Sequence, residues 1–277
     1  MGMRVTTNLS ALNAQRNLIG SQREISKSMA QLSSGSRINK AADDAAGLAI
    51  SENLKAQVRS AAQARRNAND AVSMIQTAEG GINEISNIVT RLRELGIQAA
   101  SDTVGDTERG FLDKEVQQLK AEMDRIANVT TWGTTKLLDG KGPQFDFQVG
   151  LFGEGSDNRI SFSSSDIDVS VGTLGLDGLD YTSKEGAQEA LSSLDAAQVT
   201  VNSNRSMLGA FQNRLTSTSD NLAITEENLS AANSRIRDTD VAAASSEVVR
   251  NQILLQAGAS TLAQANQTNQ LAMKLIG

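Results

Sequence analysis

The chain has 277 residues, 39% of them hydrophobic and 21% charged, which is typical of a soluble protein with one or two domains. Its net charge of −6 disfavours nucleic acid and anionic membranes, and no apolar run could cross a bilayer, so we expect neither nucleic-acid binding nor membrane insertion. Cysteine and histidine are absent, which removes thiolate nucleophiles, His-based proton transfer and soft-metal ligands; we predict no enzyme, no cofactor and no metal site.

The N-terminal segment predicts an amphipathic helix that ends at Ser33-Ser34-Gly35. Its apolar stripe consists of Val5, Leu9, Leu12, Leu18, Ile25, Met29 and Leu32. A second, long helix begins near Asp43. We interpret Asp43 and Asp44 as capping residues rather than a metal or acid site, because carboxylates at a helix start accept hydrogen bonds from unpaired backbone N–H groups.

This second helix has a stripe of mostly apolar or small residues at alternating spacings of four and three, which favours a coiled coil. The stripe comprises Leu54, Val58, Ala61, Arg65, Ala68, Val72, Ile75, Ile82, Val89 and Leu92. Another amphipathic helix is predicted at Glu108–Ala127. The segment 133–182 differs, because it holds nine of the 22 glycines and the only proline. Period-two apolar patterns predict hairpin strands there, at Gln144–Leu151, Ile160–Phe162 and Ile167–Val171.

The C-terminal part contains two seven-residue repeats in different phases. The first repeat is Leu194, Val201, Leu208, Leu215, Leu222, Leu229 and Ile236. It predicts a helix that supercoils against the earlier long helix. After a break at Asp238–Asp240 the second repeat follows as Val241, Val248, Leu255, Leu262, Asn269 and Ile276.

These elements predict a mainly α fold, with a long antiparallel coiled-coil bundle, a small β-hairpin region and paired terminal helices. We expect residues 1–42 and 238–277 to form an inner domain of terminal helices, and residues 43–237, with the insert 133–182, to form an outer bundle. Helices that offer one apolar stripe beyond the main bundle are marginal alone. We therefore predict mobile ends in the monomer, which order on assembly into a helical polymer through the two terminal stripes.

Several long motifs, in order, resemble those of bacterial flagellins. They are LNAQRNL, SGSRINKAADDAAGLAI, RNANDAVSMIQTAEG and LREL on the N-terminal side, and LGAFQNRL, ENLSAANSRIRDTDVA and ILLQAGASTLAQANQ on the C-terminal side. The resemblance implies a secreted filament subunit for motility, exported unfolded through the flagellar type III apparatus. Its implied partners are further copies of itself, the export apparatus, filament cap and hook-junction proteins, and an export chaperone at the C-terminal end.

Two further details of the resemblance concern the surface of the protein. The family's variable outer domains are missing between Gly140 and Ser183, so Phe152–Arg159 would face solvent or neighbouring subunits. Some flagellins are bound by an animal Toll-like receptor through residues that correspond to Arg91, Leu95 and Glu115. These residues are equally consistent with a solvated helix face and an intersubunit contact.

Three other functions remain as alternatives. A hook–filament junction protein would share the terminal helices and the export route but would cap rather than polymerise. A secreted interaction protein or translocon subunit would stay monomeric or enter membranes. An enzyme within the Gly-rich insert is disfavoured, since that segment offers no convergent acid, base and nucleophile.

Overall fold

The computed structural model of the chain describes residues 7–153 and 155–276, with side chains described as far as residue 267. The helices in this part are α1 (Leu9–Ser34), α2 (Ala45–Ala99), α3 (Asp106–Val129), α4 (Lys184–Arg237) and α5 (Val241–Ile276). The strands are β1 (Thr131–Trp132), β2 (Thr135–Lys136), β3 (Gln144–Gln148) and β4 (Arg159–Ser163). The predicted mainly α fold with small hairpins is confirmed.

The chain divides into two compact units, which we call the terminal unit (residues 1–56 and 228–277) and the central unit (57–227). The division falls inside α2 and α4 rather than at the helix breaks near residues 42 and 238. The reason lies in contacts that tie each break to the adjacent helix ends: Arg37 donates its backbone N–H to Arg237 O, and Arg237 pairs with Glu52. The domain boundaries drawn from the sequence therefore stay a prediction.

In the central unit, α2 and α4 run antiparallel and bury small residues against each other. Arg93 pairs with Asp195 at 2.8 Å, and Arg65 pairs with Glu226 at 3.3 Å, and these pairs show the direction and register of the two helices. Within the central unit, the buried side of α2 begins with four alanines and continues mainly with larger side chains. The alanines are Ala61, Ala64, Ala68 and Ala71. Small side chains allow the helix backbones to approach, which explains how a chain poor in aromatics still forms a dense core.

The two hairpins are antiparallel, and the larger one is anchored to α4 by aromatic packing. In that hairpin Phe145 lies opposite Phe162 and Phe147 opposite Ile160. The Phe162 ring meets Phe211 of α4 edge-to-face, with centroids 5.4 Å apart. This geometry is favourable for aromatic pairs, so it holds the hairpin against the helix.

The prediction of a strand at Ile167–Val171 is wrong. That segment forms only an isolated bridge between Asp139 and Asp168, although Ile167, Val169 and Val171 are all buried. Within the segment Val169 donates its N–H to Leu138 O at 3.3 Å, and two polar side chains of α3 bond the backbone at Val171 and further along the chain. Asp124 accepts from the Val171 N–H at 3.0 Å, and Lys120 donates to Asp177 O at 2.6 Å. An alternating pattern reports burial of every second side chain, but a strand also needs a paired neighbour.

In the terminal unit, α1 and α5 pack antiparallel. Asn8 donates its side-chain amide to Ala265 O at 2.9 Å, and at the other end Thr239 donates its N–H to Gly35 O at 3.0 Å. Asp44 accepts from the Gly47 N–H and so caps α2, whereas Asp43 closes the preceding turn by accepting from the Asn39 and Lys40 N–H groups. No helix within the described part of the chain has the length and apolar character needed to cross a membrane.

Candidate assembly surface

The covered sides of α1 and α5 form a heptad-spaced seam between the two helices. On α1 the covered residues are Ala11, Ala14, Leu18, Ser21, Ile25, Ser28 and Leu32. On α5 they are Ala244, Val248, Asn251, Leu255, Gly258, Leu262 and Ala265. A Cβ on Gly258 would lie 2.8 Å from the Leu18 Cδ2, so the glycine permits a close approach of the two helices here. The seam is thus a coiled-coil contact inside one chain.

The outward sides of the same helices carry a second set of large apolar residues. Their exposed fractions are 59% for Leu9, 50% for Leu12, 55% for Ile19, 50% for Met29, 60% for Val241, 54% for Val249, 61% for Ile253 and 50% for Leu254. We call these eight residues the outward rows. Single exposed aliphatic side chains are common, but eight of them on one pair of helices make these sides a candidate surface for association.

The residues predicted for polymerisation divide between seam and surface. Leu9, Leu12, Met29 and Val241 lie in the outward rows, as an intermolecular contact requires. The seam contains the other six described residues, which pack within the chain: Leu18, Ile25, Leu32, Val248, Leu255 and Leu262. Val5 lies outside the described residues, and so do the side chains of Asn269 and Ile276. Part of each predicted stripe is therefore used inside the chain, and the ordering of the terminal helices on assembly stays a prediction.

Four residues of the outward rows were missed: Ile19, Val249, Ile253 and Leu254. Their spacing contained a signal, because Ile19 follows Leu12 by seven positions and Ile253 follows Val249 by four. Sequence reasoning assigned one stripe to each terminal helix, and a helix with apolar residues on two sides needs two partners.

The outward side of α5 is nearly free of uncompensated charge. Between residues 241 and 267 the charged side chains are Glu247 and Arg250, which pair with each other at 2.8 Å. Because burying an unpaired charge is costly, a neutral apolar face is suited to contact with another protein surface. Within the described part of the chain, no group of three or more acidic, His or Cys side chains is placed to hold a metal ion.

A second candidate surface lies in the central unit, where two of the three predicted receptor residues are exposed and the third is buried. Arg91 Nη2 lies 3.0 Å from Glu115 Oε1, and its Nη1 lies 3.0 Å from Glu94 Oε2. Hydrogen bonds to Glu94 and Glu115 hold the pKa of Arg91 above its usual range. Leu95 is only 1% exposed and belongs to the core. The structure thus brings Arg91 and Glu115 together on the surface and places Leu95 beneath it.

Comparison with known sequences accounts for both terminal regions. The model of the bacterial flagellin N-terminal helical region matches residues 5–142, and that of the C-terminal helical region matches residues 191–276. A flagellin of Halalkalibacterium halodurans is 43% identical over 274 residues, covering 99% of this chain and 100% of the relative. The chain belongs to the bacterial flagellin family. A flagellar filament core protein of Brachyspira hyodysenteriae is 39% identical, covering 99% of this chain and 100% of that one.

Solved structures agree with this family membership. The crystal structure of Bacillus cereus flagellin has a TM-score of 0.51 and 31% identity, and the match covers 57% of this chain and 88% of that one. A putative flagellar hook-associated protein from Vibrio parahaemolyticus has a TM-score of 0.60 over 71% of this chain and 100% of its own. At 13% identity the second likeness shows the fold alone.

Proposed function

We propose that this chain is the structural subunit of a bacterial flagellar filament and that the outward rows of α1 and α5 supply contacts between subunits. The observation that carries the proposal is the exposure of eight large apolar side chains, each by at least half, on helices whose other side is already covered. Full burial of such a side chain contributes about 1.5–3 kcal/mol, so several buried together would drive association.

A filament requires contacts that repeat without closing into a ring. Two different surfaces on each copy, joined head to tail, generate such a helical assembly. The outward rows of α1 and α5 are different surfaces on one paired unit, so they suit this kind of contact. A structural role of this kind needs no catalytic group.

The finer parts of the proposal come from the family resemblance. We expect export in unfolded form through the flagellar type III apparatus, assembly outside the cell, and contact with cap and hook-junction proteins and a chaperone at the C-terminal end. A chain without cysteine supports export by such a route, because it can be unfolded and refolded without breaking a covalent cross-link.

Elongation from seeds tests the main proposal. Purified monomer is mixed with short filament fragments and followed by electron microscopy, with a fragment spanning residues 44–236 as the matched control because it lacks α1 and α5. Full-length chain should elongate the seeds and the fragment should not. Failure of the full-length chain at every salt concentration would reject the proposal, and elongation by the fragment would reject the role of the outward rows. A junction protein would add a few copies and stop.

We propose recognition by an animal Toll-like receptor as a second function, favoured by the exposed ion pair of Arg91 and Glu115. Because Leu95 is buried, it would act by supporting α2 rather than by touching the receptor. Reporter cells that carry the receptor should respond to monomer, and the response should fall with Arg91→Ala and with Glu115→Ala. Silent cells, or equal responses to the parent and both variants, would reject this function.

A further inference from the structure

One side of α1 carries two arginines whose side chains have no partner within the described part of the chain. Arg16 and Arg23 are exposed, and neither guanidinium forms a hydrogen bond or an ion pair there. The two side chains line a groove of about 500 Å³ on the surface of the helix. Its other lining residues are Leu12, Gln15, Ile19 and Gly20. We call this the basic groove, because it combines unpaired positive charge with apolar surface.

The spacing of these side chains is that of a coiled-coil edge. Leu12 and Ile19 are seven residues apart, and Arg16 and Arg23 repeat this interval four positions further along. Residues three, four and seven positions apart lie on one side of a helix, and seven residues span about 10.5 Å. In coiled coils, charged residues beside an apolar repeat select the partner through ion pairs with its helix. Two arginines at this spacing favour a partner helix whose carboxylates also repeat every seven residues.

Gly20 lies within the basic groove, in the interior of α1. Glycine inside a helix is less stable than alanine, so its presence there calls for a packing reason. A Cβ at Gly20 would meet no atom within 4 Å, whereas a Cβ at Gly258 would strike Leu18 across the seam. The packing of the described chain therefore does not require a small residue in the groove, but the close approach of another helix does.

The terminal unit, which contains the basic groove, differs in charge from the rest of the chain. It holds 11 basic and 7 acidic residues, a net charge of +4, whereas the central unit holds 15 basic and 25 acidic residues, a net charge of −10. The single acidic residue of α1 is Glu24, which follows Arg23 directly and lies about 100° further round the helix. The negative charge of the whole chain therefore conceals a basic terminal unit, which attracts acidic surfaces.

The α1–α5 pair of a second copy is a poor occupant of the groove. The two helices together contain two acidic residues, Glu24 and Glu247, and Glu247 is already paired with Arg250 at 2.8 Å. Another copy of the pair thus offers one unpaired carboxylate for two arginines. Because burial of an unpaired guanidinium is costly, the groove suits a partner richer in carboxylates.

We propose that the basic groove of α1 binds an acidic helix of a different protein. Leu12 and Ile19 supply the apolar contacts, and Arg16 and Arg23 pair with two carboxylates of the bound helix. The binding itself goes beyond the proposed polymerisation. One consequence rests on it: Leu12 and Ile19 belong to the outward rows, so a bound helix would cover them in the monomer and would have to leave before assembly.

Binding of a defined peptide by the full-length monomer tests the proposal. The probe is a fluorescein-labelled peptide of three heptads with leucine at the apolar positions and glutamate beside them, and its twin has lysine for every glutamate. Fluorescence anisotropy should show that the parent binds the glutamate peptide, more weakly as salt is added. Arg16→Glu combined with Arg23→Glu should weaken this binding at least about tenfold and should bind the lysine peptide instead.

The matched control combines Arg205→Glu with Arg214→Glu. These two arginines lie on α4 and also form no ion pair within the described residues, so this variant should bind the glutamate peptide as the parent does. Failure of the parent to bind the peptide, or an equal loss in the control, would overturn the proposal. Vesicles of phosphatidylglycerol that bind the parent more tightly than the peptide does would assign the groove to a lipid surface and overturn it too.

Seeded elongation separates a foreign partner from a neighbouring copy. The neutral variant that combines Arg16→Gln with Arg23→Gln should elongate seeds at the parent rate, and saturating glutamate peptide should slow the parent but not this variant. Slow elongation by the neutral variant without peptide would assign the arginines to another copy and overturn the proposal. If the parent fails to elongate seeds without peptide, the proposed function fails and the binding result stands; if the parent elongates but binds no peptide, only this inference fails.

Discussion

Arg91 of α2 and Glu115 of α3 form an ion pair across the contact between the two helices, with Nη2 and Oε1 3.0 Å apart. Their side chains are 50% and 43% exposed, so solvent screens the attraction. We predict that Arg91→Ala and Glu115→Ala each leave the urea midpoint of unfolding almost unchanged, because exposed ion pairs contribute little to stability. Urea denaturation of both variants and of the double variant measures this change and the coupling between the two residues.

The same result decides how receptor assays are interpreted. If both variants keep the parent stability, a lost receptor response reflects a lost contact rather than a lost fold. A large coupling between the two residues would contradict the prediction, and so would a coupling that does not shrink at high salt, because it would show that the pair is screened less than its exposure implies.

The division of each terminal helix into seam and outward sides predicts opposite outcomes for two substitutions. Ile253→Ser changes an exposed side chain, so the monomer should keep its α1–α5 pairing while seeded elongation falls. Leu18→Ala removes a seam side chain that meets Gly258, and it should weaken that pairing by about 2 kcal/mol, the low end for aliphatic truncation because Leu18 is only half-buried. Amide hydrogen exchange of α1 and α5 in the monomer reports the pairing.

Unchanged elongation with Ile253→Ser would show that this part of the outward row does not meet another subunit. Faster exchange of α5 in the same variant would show instead that Ile253 supports the seam.

Two adjacent glycines in α2 provide a test of packing. A Cβ on Gly81 would lie 2.7 Å from Leu138 Cδ1 and 2.7 Å from Thr130 Oγ1, whereas a Cβ on Gly80 would meet nothing within 4 Å. Gly81→Ala should therefore destabilise the central unit by about 1–3 kcal/mol through overpacking. Gly80→Ala should stabilise it by about 0.5–1 kcal/mol, because alanine is the better helix former. Thermal and urea unfolding of the two variants measure both effects, and changes in stability of the same sign would refute the close packing of Leu138 and Thr130 against Gly81.

Tyr181, the only tyrosine, gives a prediction for alkaline pH. It is buried and donates its hydroxyl to Leu92 O at 2.9 Å, and burial, aided by the charge of Asp113, raises its pKa to about 12. The pKa of the folded state lies above the unfolded value of about 10. The protonated hydroxyl therefore stabilises the folded state fully below pH 10, and this contribution is lost as the pH rises towards 12. Over this range the free energy of unfolding should fall by roughly 2–3 kcal/mol.

Absorbance at 295 nm follows this ionisation without interference from another tyrosine. Tyr181→Phe should cost about 1 kcal/mol near neutral pH, through the lost hydrogen bond, and should flatten the decline of stability between pH 10 and 12. Titration of the folded protein near pH 10 would mean that the hydroxyl is accessible to solvent, contrary to its burial.

Much of the fold could be predicted because helices and their seams are local patterns. The seven-residue repeat from Leu194 and the spacing of three and four from Leu54 predict two long helices with complementary faces, and α4 and α2 form these helices. Asp44 caps α2 as expected, and Asp240, which the sequence placed in the break before α5, accepts from the Ala242 and Ala243 N–H groups. In each case the information lies within a few turns of one helix.

The sequence by itself determined which segments are helical, where they break and that the terminal helices carry apolar stripes. Only the tertiary structure decided which side of those helices is used inside the chain, because α1 and α5 have aliphatic residues on two sides and periodicity does not rank them. It also decided that the buried segment around Val169 is held by single bonds, from Val169 N–H to Leu138 O and from Val171 N–H to Asp124 of α3, rather than by pairing with another strand. Both outcomes depend on partners distant in sequence, whose hydrogen bonds and packing exist only after the chain has folded.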